Sequence, residues 1–152
     1  MVIFVDDKNQ KEFISRTILE DLPDWFGIPE NTTAYIKGSR ELPFWAELEN
    51  GVAKGFIVLK ETGKDTVEVH VMGVLKSLHN NGIGKKLFEA FYAYAKEQGY
   101  SFIQVKTVKE GCYDDYDRTI QFYKRVGFKE FECFPTLWDE WNPCQIYIMA
   151  IN

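Results

Sequence analysis

The segment from residue 66 to residue 108 constrains the fold most, because it reads as strand, loop, long helix and strand. The run "TVEVHVMGV" is rich in β-branched residues, and the helix that follows from about Gly82 keeps apolar side chains at helical spacing until Gly99. The next strand is "SFIQVKTV". A helix that connects two strands of one sheet in this way requires those strands to be parallel. The chain therefore contains a βαβ unit.

Two turns before this unit predict antiparallel strands instead. Asn50-Gly51 and Gly63-Lys64-Asp65 each separate two strand-like runs, as hairpin turns do. The predicted order over the whole chain is β-α-α-β-β-β-α-β-α-β-β. We expect an α/β (α+β) fold in a single domain spanning residues 1–152, with a mixed central sheet of six to seven strands and helices on both faces.

Some boundaries are predicted from local signals. Asn31 or Thr32 is the expected cap of the second helix. The polar stretch "KEGCYDDYD" is expected to lead into a helix, "RTIQFYKRV", closed by Gly127. The last two strands, "FKEFECF" and "CQIYIMAI", are expected to flank a loop, "PTLWDEWNP".

Composition excludes several classes of function. The net charge is -5 and the basic residues are spread out, which argues against nucleic-acid binding. The N-terminus lacks the features of a signal peptide, and no apolar run is long enough to span a membrane. Cys112, Cys133 and Cys144 lack the spacing of a zinc site or a disulfide framework. We expect a cytoplasmic protein with reduced cysteines and no metal.

The loop "HNNGIGKKLF" places Lys85 and Lys86 in the first turn of the long helix. A helix N-terminus is already partly positive, so two lysines are unfavourable there unless an external anion binds. Gly82 and Gly84 have no Cβ atoms and let a ligand approach the unpaired backbone N–H groups. We predict a site for a diphosphate, although exposed lysines at a helix start also occur without a ligand. The loop is neither a P-loop nor a dinucleotide fingerprint.

The strand before this loop changes its alternation near its end. Val67, Val69 and Val71 alternate with polar residues, but the next valine, Val74, comes three positions later. A break of this kind at Gly73 favours a β-bulge that would separate the strand from its parallel neighbour and open a slot. A simple strand end is the alternative.

The loop and a later helix together resemble two signatures of the GNAT superfamily of N-acetyltransferases. The first signature is a strand, the loop pattern [Arg/Gln]-x-x-Gly-x-[Gly/Ala] and a helix. The segment "RTIQFYKRVGF" looks like the second signature. The strings "WFGIPE", "VMGVL", "FYKRVGF" and "LWDEWNPC" resemble a bacterial subgroup whose substrate is undefined. The resemblance covers nearly the whole chain and implies acetyl-CoA as cosubstrate.

The resemblance also implies where CoA would bind. Its pantetheine arm would pair with the backbone of one strand segment, and its diphosphate would lie on the amides of the loop: Met72, Gly73 and Val74 for the arm, and His79, Asn80, Asn81, Gly82, Ile83, Gly84 and Lys85 for the diphosphate. Three positions depart from the family pattern. His79 replaces the usual Arg or Gln, Tyr116 the usual Asn, and Thr119 a small Ala. The Tyr116 hydroxyl is the candidate replacement for the Asn contact to the arm.

The implied reaction is direct attack of an amine on the thioester. Tyr123 aligns with the general-acid tyrosine of the family, and a phenol with a pKa near 10 is protonated at neutral pH. The alternative for Tyr123 is packing in the core. Glu68 and His70 share one face of their strand and are candidates for the base, but an exposed sheet face would also explain them. Water or a free-amine fraction would also suffice.

The acceptor pocket is expected in the first two helices and the last strands, by the same resemblance. Aromatic and acidic side chains there suit a cationic amine. The candidates are Trp25, Phe26, Glu30 and Trp138, with Trp141, Asp139 and Glu140 close in sequence. The alternative is that the tryptophans fill core beneath long loops.

These observations predict an N-acetyltransferase that acts on a primary amine of a small molecule or peptide. Two other functions are compatible with the sequence. One is a non-catalytic acyl-CoA-binding sensor or structural domain, and the other is a protein-interaction domain that does not bind CoA. The sequence does not fix the oligomeric state, and a homodimer is compatible with it.

Overall fold

A computed structural model describes all 152 residues and contains the seven strands and four helices in the predicted order. The elements are β1 (Val2–Phe4), α1 (Lys8–Glu20), α2 (Pro29–Ser39), β2 (Phe44–Glu49), β3 (Val52–Glu61), β4 (Thr66–Val74), α3 (Ile83–Glu97), β5 (Phe102–Val108), α4 (Asp114–Val126), β6 (Lys129–Asp139) and β7 (Asn142–Ala150). A short 3-10 turn, Lys76–Leu78, lies between β4 and α3.

The strands form one mixed sheet in the order β1-β2-β3-β4-β5-β7-β6. Only β4 and β5 are parallel, and their pairing is short: it runs from Thr66 opposite Phe102 to Glu68 opposite Gln104. Both strands continue beyond these pairs, β4 to Val74 and β5 to Val108, without further pairing to each other. The sheet therefore opens at its centre, which confirms the prediction of a separated central strand.

Helices cover both faces of the sheet, as predicted, and each face has its own core. Leu87 and Phe91 of α3 and Ile120 of α4 pack on one face with Val67 and Val69 of β4. The other face holds α1 and α2 with Val71 of β4. The two layers of helices are thus separated by the sheet, and the opening between β4 and β5 lies between them.

The predicted β-bulge is present in β4, but its predicted position was wrong. Val58 of β3 pairs with Val71, and the next residue, Leu59, pairs with Val69, so His70 is the extra residue. Gly73 pairs regularly with Phe56. The alternation changes at His70, because Val69 packs with α3 and Val71 packs with α1.

Gly73 has a packing role instead. A Cβ atom there would lie 2.9 Å from Cγ2 of Ile18 and 3.2 Å from Cδ1 of Leu22, both in the α1 layer. The glycine therefore lets α1 approach β4 closely.

Three predicted boundaries were also wrong. The helix α2 begins at Pro29, which suits a first helical position, and Thr32 donates to Phe26 and Ile28 rather than capping the helix. The helix α4 begins at Asp114, four residues before the predicted start, because aspartates in its first turn favour the helix dipole. The strand β6 runs through the predicted loop to Asp139.

Asp139 explains why the last connection is a tight turn. Its carboxylate accepts hydrogen bonds from the backbone N–H groups of Trp141 and Asn142 and from Nδ2 of Asn142. Pro135 lies within β6, which is an edge strand and tolerates the missing N–H.

None of the four helices combines the length and apolar character that crossing a bilayer requires.

Candidate active site

A cavity of about 1650 Å³ occupies the opening in the sheet. Its walls come from the end of β4, the loop before α3, the first turn of α3, α4, the end of β5 and the α1–α2 connection. Residues 69 to 74 of β4 have no strand partner on the β5 side, so one edge of this segment faces the cavity. An unpaired strand edge is a template for pairing with an extended ligand.

The N-terminus of α3 is open at the mouth of this cavity. None of the backbone N–H groups from Asn80 to Lys85 donates a hydrogen bond within the protein, and no side chain caps the helix. The first turn carries no acidic residue. Gly82 has a φ of 79°, a conformation that favours glycine, and an added Cβ there would meet nothing within 4 Å.

The two glycines of the loop differ in role. Gly82 provides the left-handed turn into α3, together with Asn80 at a φ of 68°. A Cβ atom on Gly84 would lie 3.1 Å from Cε of Met72 and 3.2 Å from Cε1 of Phe122. Gly84 therefore permits close packing of α3 against β4 and α4, which the sequence did not predict.

His79 connects the loop to the end of β4. Its ring Nε2 lies 2.8 Å from the backbone oxygen of Val74, and its ring contacts Trp25 edge to face at 5.5 Å between centroids. The side chain thus fixes the loop in place, a contribution separate from the amides.

Trp25 bridges the α1–α2 connection to α4. Its indole Nε1 lies 3.2 Å from the backbone oxygen of Asp115 and 3.2 Å from Oγ1 of Thr119, and the hydroxyl of Tyr116 donates to its backbone oxygen at 2.8 Å. We call these contacts of Trp25 with Asp115, Tyr116 and Thr119 the Trp25 bridge. Tyr116 and Thr119 are two of the three departures from the family pattern, and both line the cavity.

Tyr123 lies in the cavity wall and is almost fully buried, at 7% exposure. Its ring packs edge to face against Phe122 and Phe128, and its hydroxyl makes no hydrogen bond to another protein group. Burial raises the pKa of Tyr123 well above its ordinary value, with smaller contributions from Tyr35 and Glu68. The hydroxyl is therefore protonated and available to a ligand across the physiological range.

The two candidate bases share one face of β4, as predicted; this face is the one that α1 and α2 cover, and the two side chains have different environments. Glu68 is buried and does not line the cavity, and Nζ of Lys106 lies 3.1 Å from its Oε1 outside hydrogen-bond geometry. His70 lines the cavity and packs against Tyr35 at 5.4 Å between ring centroids. Burial, together with the positive charges of Lys60 and Lys106, lowers the pKa of His70 to about 4. Its imidazole is therefore neutral at pH 7.

The predicted acceptor residues are only partly brought together. Trp25, Phe26 and Trp138 line the cavity, but Glu30 is exposed in the first turn of α2 and does not. A smaller cavity of about 290 Å³ adjoins the main one on this face and is lined by Asn31, Ala34, Tyr35, His70 and Trp138. Trp141 is largely exposed.

Sequence reasoning missed Tyr35 and Lys106. Tyr35 is the aromatic residue of α2. Lys106 is a charged residue in β5, a strand in which apolar and polar residues are mixed. Each carries a weak signal, because a single tyrosine in a helix or lysine in a strand is ordinary on a surface. The structure also contains no cluster of three His, Cys, Asp or Glu side chains with metal-binding spacing.

Known proteins resemble this chain in sequence. A protein from Chlorobaculum tepidum described as an uncharacterized N-acetyltransferase is 32% identical over 80 residues, which make up 51% of this chain and 45% of that protein. The chain thus matches less than half the length of this curated relative.

Solved structures resemble the whole fold. A protein from Desulfovibrio desulfuricans assigned to the GNAT family of acetyltransferases superposes with a TM-score of 0.84 at 16% identity, covering 100% of both chains. An aminoglycoside 6'-N-acetyltransferase complexed with coenzyme A gives a TM-score of 0.77 at 17% identity, covering 100% of this chain and 97% of that one. The sequence model of the Acetyltransferase (GNAT) family matches residues 11–128. The chain therefore belongs to the GNAT family of acetyltransferases.

Proposed function

We propose that the protein is an N-acetyltransferase that transfers an acetyl group from acetyl-CoA to a primary amine of a small molecule or peptide by direct attack. The observation that carries the proposal is the free set of backbone N–H groups from Asn80 to Lys85 at the mouth of a cleft between two separated strands. Family membership and a structural neighbour solved with coenzyme A support it.

The residues present fit acetyl-CoA. The helix N-terminus and Lys85 supply N–H donors and positive charge for a diphosphate. The free edge of β4 at Met72, Gly73 and Val74 supplies backbone groups for the amides of the pantetheine arm. Acetyl-CoA would supply a thioester, which an amine attacks without help from a metal.

Three tasks remain for the side chains and backbone. Tyr123 would donate its proton to the departing thiolate, since its hydroxyl is protonated and makes no other hydrogen bond. A backbone N–H near Val74 would stabilise the oxyanion. Neutral His70 would accept a hydrogen bond from the amine, and the proton would leave through water, because the lowered pKa makes His70 a weak base at pH 7. Glu68 is buried and does not line the cavity, so it would not contact the amine directly.

The alternative function is a non-catalytic acyl-CoA-binding sensor or structural domain. The Trp25 bridge favours it to the extent that Tyr116 and Thr119 hold Trp25 rather than a ligand. Cofactor binding alone does not distinguish the two functions, so the test must measure turnover.

The test is a thiol-release assay with acetyl-CoA and a panel of amines, on the wild type and on Tyr123→Phe. We expect turnover to fall by about 10²–10⁴-fold in the variant while the Kd for CoA, measured by calorimetry, stays within a few-fold. Tyr147→Phe is the matched control, because this buried tyrosine lies outside the cavity wall and its hydroxyl also lacks a partner. No turnover with any amine, despite CoA binding, would favour the sensor.

We also propose a location, a domain organisation and an oligomeric state for the protein. A cytoplasmic location is supported by the three free cysteines, and one domain spanning residues 1–152 is supported by the single continuous sheet. Light scattering of purified protein would show whether it forms the homodimer that the sequence allows.

A further inference from the structure

We propose that the acceptor carries a carboxylate as well as its amine, and that Lys106 binds this carboxylate. The inference rests on the proposed acetyl transfer and narrows its acceptor to small amino-acid-like compounds. It replaces the expectation of a cationic acceptor held by acidic side chains.

Lys106 has the position that such a role requires. It lies on β5 beyond the last residue paired with β4, and its side chain lines the main cavity with about a third of its surface exposed. Its ion-pair partner Glu68 lies on the face of the sheet that α1 and α2 cover. Lys106 therefore lies on the same face, where the acceptor is expected. The ammonium forms an ion pair with Oε1 of Glu68 at 3.1 Å, but this contact is outside hydrogen-bond geometry. Its N–H donors therefore remain available to a ligand beside this ion pair.

The acidic groups near the cavity are unsuited to a cationic acceptor. Asp139 is committed to the β6–β7 turn, and Asp24 forms an ion pair with Lys76. Glu68 is buried and does not line the cavity. Glu89 belongs to α3, on the other face of the sheet. The acidic side chains that line the cavity on the acceptor face are thus engaged by other groups, whereas Lys106 still has N–H donors available to a ligand.

The size of the neighbouring cavity limits the acceptor. The smaller cavity, about 290 Å³, is near the lower end of the range for small-molecule sites and shares Tyr35, His70 and Trp138 with the main cavity. Its lining is aromatic and neutral, which suits an apolar side chain. A single amino acid with an apolar side chain fits this combination of a cation, aromatic rings and limited volume.

The environment of His70 has a second consequence for the same acceptor. Burial is the largest cause of the lowered pKa of His70, and Lys60 and Lys106 add to it, so this position favours neutral over positively charged groups. An ammonium bound nearby would be shifted toward its neutral, nucleophilic form.

The experiment compares matched acids and amides: phenylalanine with phenylalaninamide, and methionine with methioninamide, in the thiol-release assay. The ratio of kcat/KM for acid over amide is measured in the wild type and in Lys106→Met. Comparing this acid-to-amide ratio between the two proteins removes the effect of the different amine basicities of the acid and the amide. We expect the ratio to fall at least 10-fold in Lys106→Met and to fall less in Lys106→Arg, with the Kd for CoA unchanged.

Loss of Lys106 leaves Glu68 buried without its partner, which could prevent the single variant from folding. In that case the double variant Glu68→Gln/Lys106→Met is used, because it removes both charges of the pair. An unchanged acid-to-amide ratio in either variant would overturn the inference. If no amine is acetylated, the proposed function fails, and calorimetry then measures phenylalanine binding to the CoA complex. Binding that depends on Lys106 would support the inference, and binding that does not, or no binding, would overturn it.

Discussion

His70 shows how one residue acquires its properties from the fold. It is the extra residue of the β4 bulge, which turns its ring toward α2 and the cavity. There, burial and two lysines lower its pKa from 6.5 to about 4. His70, a candidate for the base from the sequence, is therefore an unprotonated hydrogen-bond acceptor at neutral pH.

This shift has a measurable effect on stability. Between pH 6.5 and pH 4 the unfolded chain binds a proton at His70 and the folded protein does not, so stability should fall as pH is lowered through this window. We expect the Tm of the wild type to drop more between pH 7 and pH 5 than the Tm of His70→Gln. Equal drops in a series of thermal melts would show that His70 titrates normally in the folded protein.

At the scale of elements, Trp25 joins three parts of the fold. It links the α1–α2 connection to α4 through hydrogen bonds and to the loop before α3 through His79. The bridge lies in the wall of the main cavity. It therefore couples the segment expected to contact the acceptor to the segments expected to contact CoA.

Removing one hydrogen bond tests the bridge. Tyr116→Phe eliminates the bond to the backbone oxygen of Trp25 and should reduce the free energy of unfolding by about 0.5–1.5 kcal/mol. Tyr113→Phe is the control, because this tyrosine contacts Tyr116 through its ring and is more exposed. Urea denaturation followed by tryptophan fluorescence measures both variants. Equal stabilities for the two variants would mean that the bond contributes nothing.

The sequence predicted the elements better than their ends and contacts. Periodicity and turn residues identify the strands and helices because these signals are local: Asn50 and Gly51 adopt positive φ angles in the β2–β3 turn, as the Asn-Gly pair predicts. The bulge was placed at Gly73 rather than His70 because the faces of Val69 and Val71 depend on which helix packs above each residue. That information is tertiary.

The same distinction applies to the candidate site. The open amides at the start of α3 could be predicted because their signal is local: two lysines stand where a helix N-terminus favours an acidic residue. The roles of Tyr116, Thr119 and Lys106 depend on partners far along the chain, so no local pattern indicates them. The exposure of Glu30 likewise depends on how α2 packs on the sheet.

For the whole molecule, the central feature is a sheet that opens between two layers of helices. The parallel pairing of β4 and β5 stops at Glu68 and Gln104, and the resulting cavity borders both the α3–α4 layer and the α1–α2 layer. A cosubstrate bound at the α3 loop and an acceptor near His70 would thus meet from opposite faces. The chain has a net charge of -5, so the local positive charge at the α3 loop is needed to attract an anionic ligand.

The most direct measurement is calorimetric titration of CoA into Gly82→Asp and Gly82→Asn. The two side chains have nearly the same size, both are tolerated at the left-handed φ of 79°, and an added Cβ meets no protein atom. They differ in one negative charge at the free amides. We predict that Gly82→Asn keeps its Kd for CoA within about 10-fold and that Gly82→Asp, still folded, loses measurable binding. Equal CoA affinity in the two variants would contradict diphosphate binding at the N-terminus of α3.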